Sequence, residues 1–150
     1  LFATCTEVGG LSVGADEKSL THLKNYGEYL GMCFQIKDDI FDYYEDAQIG
    51  KPTGNDVRDG KLTLPLIFSI KNTHTKERDD IVALIEKKDF TTENINKMMH
   101  FAHENGGVEY AIRKMDDFKH KAIAELTDLP DNAVRQSLIE CVEFVAERDF

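Results

Sequence analysis

The chain has 150 residues, of which 41% are hydrophobic and 31% charged, with a formal net charge of −10. That length supports a single domain with a sizeable core. The acidic balance, with no Lys/Arg cluster, excludes a nucleic-acid-binding face, and no apolar run is long enough to cross a bilayer.

Apolar periodicity is helical along nearly the whole chain, and no segment shows a convincing alternation of period two. The expected fold class is therefore all-α, an assembly of about seven helices. Leu1, Phe2, Cys5 and Val8 open a first helix over residues 1 to 14, closed at Gly14. No Met or capping residue precedes Leu1, so the chain reads as the C-terminal part of something longer. Leu1-Phe2-Ala3 also lacks the basic lead of a signal peptide.

Asp16 is placed to cap a long second helix, with Leu20, Leu23, Leu30 and Phe34 on its core side, that runs to about Asp46. Within it, Gln35, Asp38, Asp39 and Asp42 fall inside roughly 100° of arc at helical spacing. Met32, Cys33, Phe34, Ile36, Ile40, Phe41, Tyr43 and Tyr44 fill most of the remaining circumference. A helix apolar on most sides is buried, and like charges three and four residues apart repel. Buried carboxylates must pair or hold metal, and Lys37 points nearly opposite. The stripe therefore asks for a cation.

A polar loop follows, from Ile49 to Lys61, with three glycines, Pro52, and two lysines, Lys51 and Lys61. A loop of that length inside a compact domain is usually functional. Thr63 is expected to cap a helix through Leu66, Ile67 and Ile70, with Pro65 tolerated in its first turn. Two shorter helices near 77 to 88 and 92 to 105 precede Gly106-Gly107. Another spans Glu109 to Thr127, and a last one carries Val134, Leu138, Cys141, Val142 and Val145. The three cysteines, Cys5, Cys33 and Cys141, have no metal-ligand spacing and are expected as reduced core residues of a cytoplasmic protein.

Carboxylate oxygens alone suit Mg²⁺, which takes few protein ligands and keeps positions for water and phosphate. A softer metal would want His or Cys, which the stripe lacks. Carboxylates holding Mg²⁺, with Lys51 and Lys61 aimed at the same space, form a site for a polyphosphate and favour loss of a diphosphate leaving group. Asp-Asp-x-x-Asp by itself is most often a solvated face; here the apolar surroundings favour metal. An EF-hand is excluded, because Asp38, Ile40, Asp42 and Tyr43 fail its ligand pattern. His100 and His103 lie three apart with nothing acidic beside them, and Asp116-Asp117 with Lys119 and Lys121 reads as a solvated helix face.

Gly31-Met32-Cys33-Phe34-Gln35-Ile36-Lys37-Asp38-Asp39-Ile40-Phe41-Asp42 resembles the second aspartate-rich motif of the trans-type polyprenyl diphosphate synthases. The segment from Gly50-Lys51-Pro52-Thr53-Gly54-Asn55-Asp56 through Gly60-Lys61-Leu62-Thr63-Leu64-Pro65 is similar to the stretch that follows that motif. Residues 1–15, Gly106-Gly107-Val108-Glu109-Tyr110-Ala111 and Leu129-Pro130 extend the likeness over essentially the whole chain. The resemblance implies the C-terminal part of the isoprenoid synthase helical bundle. It implies Asp38 as a direct Mg²⁺ ligand, Asp39 and Asp42 completing the cluster, and Asp56 holding a metal-bound water. Lys51 would contact the allylic diphosphate and Lys61 support it, while Phe34 and Gln35 line the space where the allylic cation forms. The implied substrates are an allylic prenyl diphosphate and isopentenyl diphosphate, joined head to tail. The tail resembles bacterial long-chain, octaprenyl-type members, and the family's habit is a homodimer without a membrane anchor.

The family's first aspartate-rich motif and its isopentenyl-diphosphate-binding basic residues have no counterpart in these 150 residues, so the piece alone is expected to be inactive. Two other readings compete. A non-catalytic partner subunit of a heteromeric prenyl synthase would have no use for Asp38, Asp39, Lys51 and Lys61. A class I terpene cyclase shares the fold, but its second metal motif mixes Asn or Asp, Ser or Thr, and Glu.

Overall fold

The computed structural model describes residues 1–44 and 54–148. Among these, every regular element is a helix: α1 (Phe2–Ser12), α2 (Glu17–Phe41), α3 (Asn55–Arg58), α4 (Leu64–Asn72), α5 (Lys76–Glu86), α6 (Thr92–Glu104), α7 (Gly107–Glu125) and α8 (Ala133–Glu147). None is long and apolar enough to cross a membrane. Side-chain caps start four of them. Asp16 Oδ1 accepts the Ser19 N–H at 2.7 Å, and Thr75, Thr91 and Asn132 each accept from the residue three positions on, the usual satisfaction of orphan amides at a helix start.

The chain divides into two compact units, one containing residues 1–37 and 114–148, the other Asp38–Arg113. In the first, Tyr26, Leu30, Ala122, Leu126 and Val142 form the buried cluster, with Phe2, Tyr29, Leu129, Leu138 and Val145 packed on it. Tyr26 is almost fully buried and its hydroxyl donates to the Leu138 carbonyl at 2.9 Å. At the ends of α2 and α7, the His22 ring lies 2.8 Å from Glu125 and Lys18 pairs with Asp128 at 2.7 Å.

In the second unit, α6 packs against both α4 and α5. Its core joins Tyr43, Val57, Leu66, Ile81, Ile95, Met98, Phe101 and Val108. Gly107 permits the close approach of α7 to α4: a Cβ there would collide with the Pro65 carbonyl and the Ser69 hydroxyl.

Four expectations shift. The second helix ends at Phe41 rather than near Asp46, because the Tyr43 and Tyr44 amides turn back to carbonyls three residues earlier, Ile40 and Phe41. The loop before Lys61 contains a one-turn helix, α3. Gly107 opens α7, so Gly106 alone, at φ 69°, breaks the chain. Of the cysteines only Cys33 is a core residue; Cys5 and Cys141 are exposed, and all three are free thiols.

Burial pushes the Tyr26 phenol up to about 12, against about 10 in an unfolded chain. Below pH 10 both states hold the proton and the full stability remains. Above it the unfolded state releases the proton first, so stability falls as pH rises from about 10 through about 12. Chemical denaturation over this range should show that decline, and Tyr26→Phe, about 1 kcal/mol less stable at neutral pH for its lost hydrogen bond, should show a shallower one.

Candidate metal and diphosphate site

The buried side of α2 is drawn by Tyr26, Leu30, Cys33, Ile36 and Ile40, spaced three and four apart. Asp38 and Asp42 lie about 200° around the helix from Ile36 and Ile40 respectively, so burying the apolar stripe turns the acids outward. Asp38, Asp39 and Asp42 are half-buried, and Gln35 is exposed. Among the described residues, Met32 and Tyr44 on the same helix end are more than a third exposed.

Asp42 has a defined task. Its two carboxylate oxygens accept the backbone N–H groups of Asn55 at 2.9 Å and Asp56 at 3.0 Å, and its carbonyl accepts the Gly54 N–H at 3.0 Å. A carboxylate facing the first amides of a helical turn is favoured by both charge and orphan donors. Gly54 makes the approach possible. Its φ of 71° suits glycine, and a Cβ there would run into Ile95.

Through this bond the stripe is brought beside Asp56 and Lys61. The Lys61 N–H donates to the Asp56 carbonyl at 2.8 Å, and its ammonium lies 3.3 Å from Asp56 and 3.4 Å from Asp59. Hydrogen bonding to Asp56, then Asp59, holds the Lys61 ammonium above its ordinary value. Lys61 thus closes the α3 turn in this structure. Phe34, one turn before Asp38 on α2, packs on Phe2 with ring centroids 5.5 Å apart and carries the Arg148 guanidinium 4.4 Å over its face. Lys51 lies outside the described residues.

Sequence reasoning missed the residues behind the acids. Tyr43, read as part of the apolar helix, is buried with its hydroxyl 2.9 Å from Thr63 Oγ1, and His103 Nε2 stands 2.9 Å from the Tyr43 carbonyl. Thr63 occupies the N-cap position of α4 but makes no side-chain cap bond, since its hydroxyl is turned to Tyr43. No local spacing links residues 43, 63 and 103; the only signal was a tyrosine hydroxyl on an otherwise apolar face, which needs a partner once buried.

The oxygen-only donor set fits a hard divalent cation. Among the described residues no three acidic, His or Cys side chains close around one point to hold an ion, whereas Mg²⁺ commonly uses one or two carboxylates and completes its shell with water and substrate phosphate. The residues fit an open site of that kind rather than a protein cage.

Replacing Asp42 with Ala removes two charge-assisted hydrogen bonds, together worth a few kcal/mol at most. Amide exchange at Asn55 and Asp56 should accelerate by at least about tenfold, and Asp42→Asn, which keeps one acceptor oxygen, should restore part of the protection.

Comparison with known proteins gives a consistent picture. The polyprenyl synthetase family model matches residues 1–102. The octaprenyl diphosphate synthase of Escherichia coli (strain K12) is 31% identical over 150 residues, covering 99% of this chain and 46% of that protein. Heptaprenyl diphosphate synthase component 2 of Bacillus subtilis (strain 168) is 29% identical, covering 100% and 42%. The crystal structure of geranylgeranyl pyrophosphate synthase from Bacteroides thetaiotaomicron superposes with a TM-score of 0.89 at 39% identity, over 98% of this chain and 48% of that one. The chain thus spans less than half the length of these relatives. On its sequence and its helical architecture together, it belongs to the polyprenyl synthetase family.

Proposed function

We propose that these residues form the C-terminal, diphosphate-handling portion of a single polyprenyl diphosphate synthase domain. The complete enzyme elongates an allylic prenyl diphosphate with isopentenyl diphosphate, head to tail. The supporting observation is the Asp42 bond to the α3 amides, which gathers Asp38, Asp39, Asp42, Asp56 and Lys61 on consecutive segments of one unit. Asp38 would hold Mg²⁺ directly, Asp39 and Asp42 would complete the cluster directly or through waters, and Asp56 would hold a metal-bound water. When bound, Mg²⁺ supplies the positive charge that makes diphosphate a good leaving group.

The chain's own side chains do the rest. Lys51 would contact the diphosphate of the allylic substrate, and Lys61 would support it while keeping the α3 turn closed. Phe34 offers a ring face and Gln35 an amide to the carbon chain as positive charge develops on it. The departing diphosphate takes the proton lost after condensation.

An octaprenyl-like, long-chain product is supported by the names of the Escherichia coli and Bacillus subtilis relatives. The three free thiols support a cytoplasmic setting, and a homodimer of complete chains follows from the resemblance. Because the chain covers less than half of its relatives, the 150 residues by themselves are inactive on this reading. One observation favours a second reading, in which the complete chain works with a second, different subunit: the Bacillus subtilis relative is named a component.

The test is incorporation of labelled isopentenyl diphosphate by the complete synthase with Mg²⁺. Asp38→Ala should lower turnover at least about a hundredfold with the fold intact. Unaltered turnover in that variant, or turnover persisting in excess chelator, would reject the proposal. Zero turnover by a well-folded complete chain until a partner is added would select the two-component reading.

A further inference from the structure

The acidic stripe sits on the last turns of α2, and what fixes those turns is not on α2. Beyond Phe41 the chain cannot satisfy its carbonyls within the helix. The Asp42 carbonyl takes the Gly54 amide at 3.0 Å, and the Tyr43 carbonyl faces His103 Nε2 on α6 at 2.9 Å. The Tyr43 side chain reaches a third segment. Its ring is 5% exposed within the core, and its hydroxyl meets Thr63 Oγ1 at 2.9 Å.

Leu66 is the third residue of α4, so its amide is the one an N-cap side chain ordinarily accepts. Thr63 stands in the cap position without performing that task. The Thr63 hydroxyl is paired with the Tyr43 phenol instead. Both hydroxyls are buried, so neither has water as a ready substitute. The His103 ring adds an edge-on contact to Tyr43, with centroids 6.1 Å apart.

We propose that Tyr43 is a positioning residue for the acidic site: its hydroxyl ties the end of α2 to Thr63 at the start of α4 and thereby fixes the turn carrying Asp42. The inference rests on the function proposed above. Tyr43 touches neither substrate nor metal on this reading; it acts through Asp42, its neighbour, and through the α3 amides that Asp42 holds. Losing the hydroxyl leaves the Thr63 hydroxyl short of a partner in the core. The α2 end then shifts relative to α4, and the carboxylates move with it. Displacements of about 1 Å at such a site cost up to about a hundredfold in rate.

The experiment uses the complete synthase and compares Tyr43→Phe, Thr63→Val, Thr63→Ser and the Tyr43→Phe/Thr63→Val pair, with Asp38→Ala alongside. The readouts are kcat, KM for the allylic substrate, the Mg²⁺ concentration giving half-maximal rate, and the melting temperature. Tyr43→Phe and Thr63→Val should each lower kcat about ten- to a hundredfold and raise the Mg²⁺ requirement several-fold, with KM changed by less than about threefold. Thr63→Ser, which keeps the hydroxyl, should restore both quantities. The pair should be no worse than either single change, because both break one link. Should Tyr43→Phe not fold, the two Thr63 variants carry the same comparison.

A lowered melting temperature with wild-type kcat and Mg²⁺ dependence would overturn the proposal, as would equal loss in Thr63→Val and Thr63→Ser. If Asp38→Ala is crippled while Tyr43→Phe works normally, positioning alone is wrong. Full activity in Asp38→Ala would overturn the functional reading and this inference with it.

Discussion

The Asp42 carboxylate does more than any other single group to organise the second unit. Its two oxygens take two consecutive amides at the start of α3, a charge-assisted pairing to a segment more than ten residues away. The arrangement answers an electrostatic problem that the sequence sets for itself. Asp38, Asp39 and Asp42 repel one another at helical spacing, and Asp56 and Asp59 are drawn into the same neighbourhood. Backbone amides supply partial positive charge without a side chain, and Lys61, 64% exposed, supplies a mobile full charge at the rim. A buried arginine could have neutralised the cluster permanently. Amides and a solvated lysine supply that positive charge from the backbone and the rim.

That arrangement stands on the packing beneath it. Val57 from α3, Leu66 from α4, and Ile95, Met98 and Met99 from α6 form one buried cluster with Tyr43. Gly54 lies against Ile95 with no room for a side chain. The segment bearing Asp56 is consequently pressed onto α6 from below and held by Asp42 from the side. Polar contacts set its direction, and apolar contacts set its height. Neither suffices alone, because a one-turn helix has too few internal hydrogen bonds to persist by itself.

The helices were legible in the sequence because periodicity, caps and glycines are local signals. Asp16, Pro65, Gly106 and the apolar spacing of α6 and α7 place most of their elements within a few residues of the observed ends. The acidic stripe was equally legible as a stripe. What local reading could not supply was the partner of each polar group. Tyr43 and Tyr44 continue the apolar pattern of α2, so the helix was expected to run on; carbonyl contacts from Gly54 and His103 decide that it stops. Thr63 has the right residue type for a cap, yet a tyrosine twenty residues earlier competes for its hydroxyl. Cys5 and Cys141 match an apolar periodicity that the described residues leave exposed, since periodicity reports a face and not what covers it. The acids were expected to face an interior or a deep cleft, and burial of Cys33, Ile36 and Ile40 places Asp38 and Asp42 half-buried on the other side of the helix.

That placement bears on the chemistry. Asp38 and Asp42 lie half-buried on the side of the helix away from its buried seam, where carboxylates keep part of their hydration. On the proposed reading, the hydration is what a polyphosphate substrate needs to displace. A cation bound by one or two carboxylates keeps most of its positions for water and phosphate oxygens, so affinity for the ion and affinity for the substrate become linked, each strengthening the other. A rigid protein cage would hold the ion whether or not substrate were present and would retain the diphosphate product with it. On the proposed reading, an acidic stripe steered by Asp42 and backed by Tyr43 lets ion and diphosphate enter and leave together.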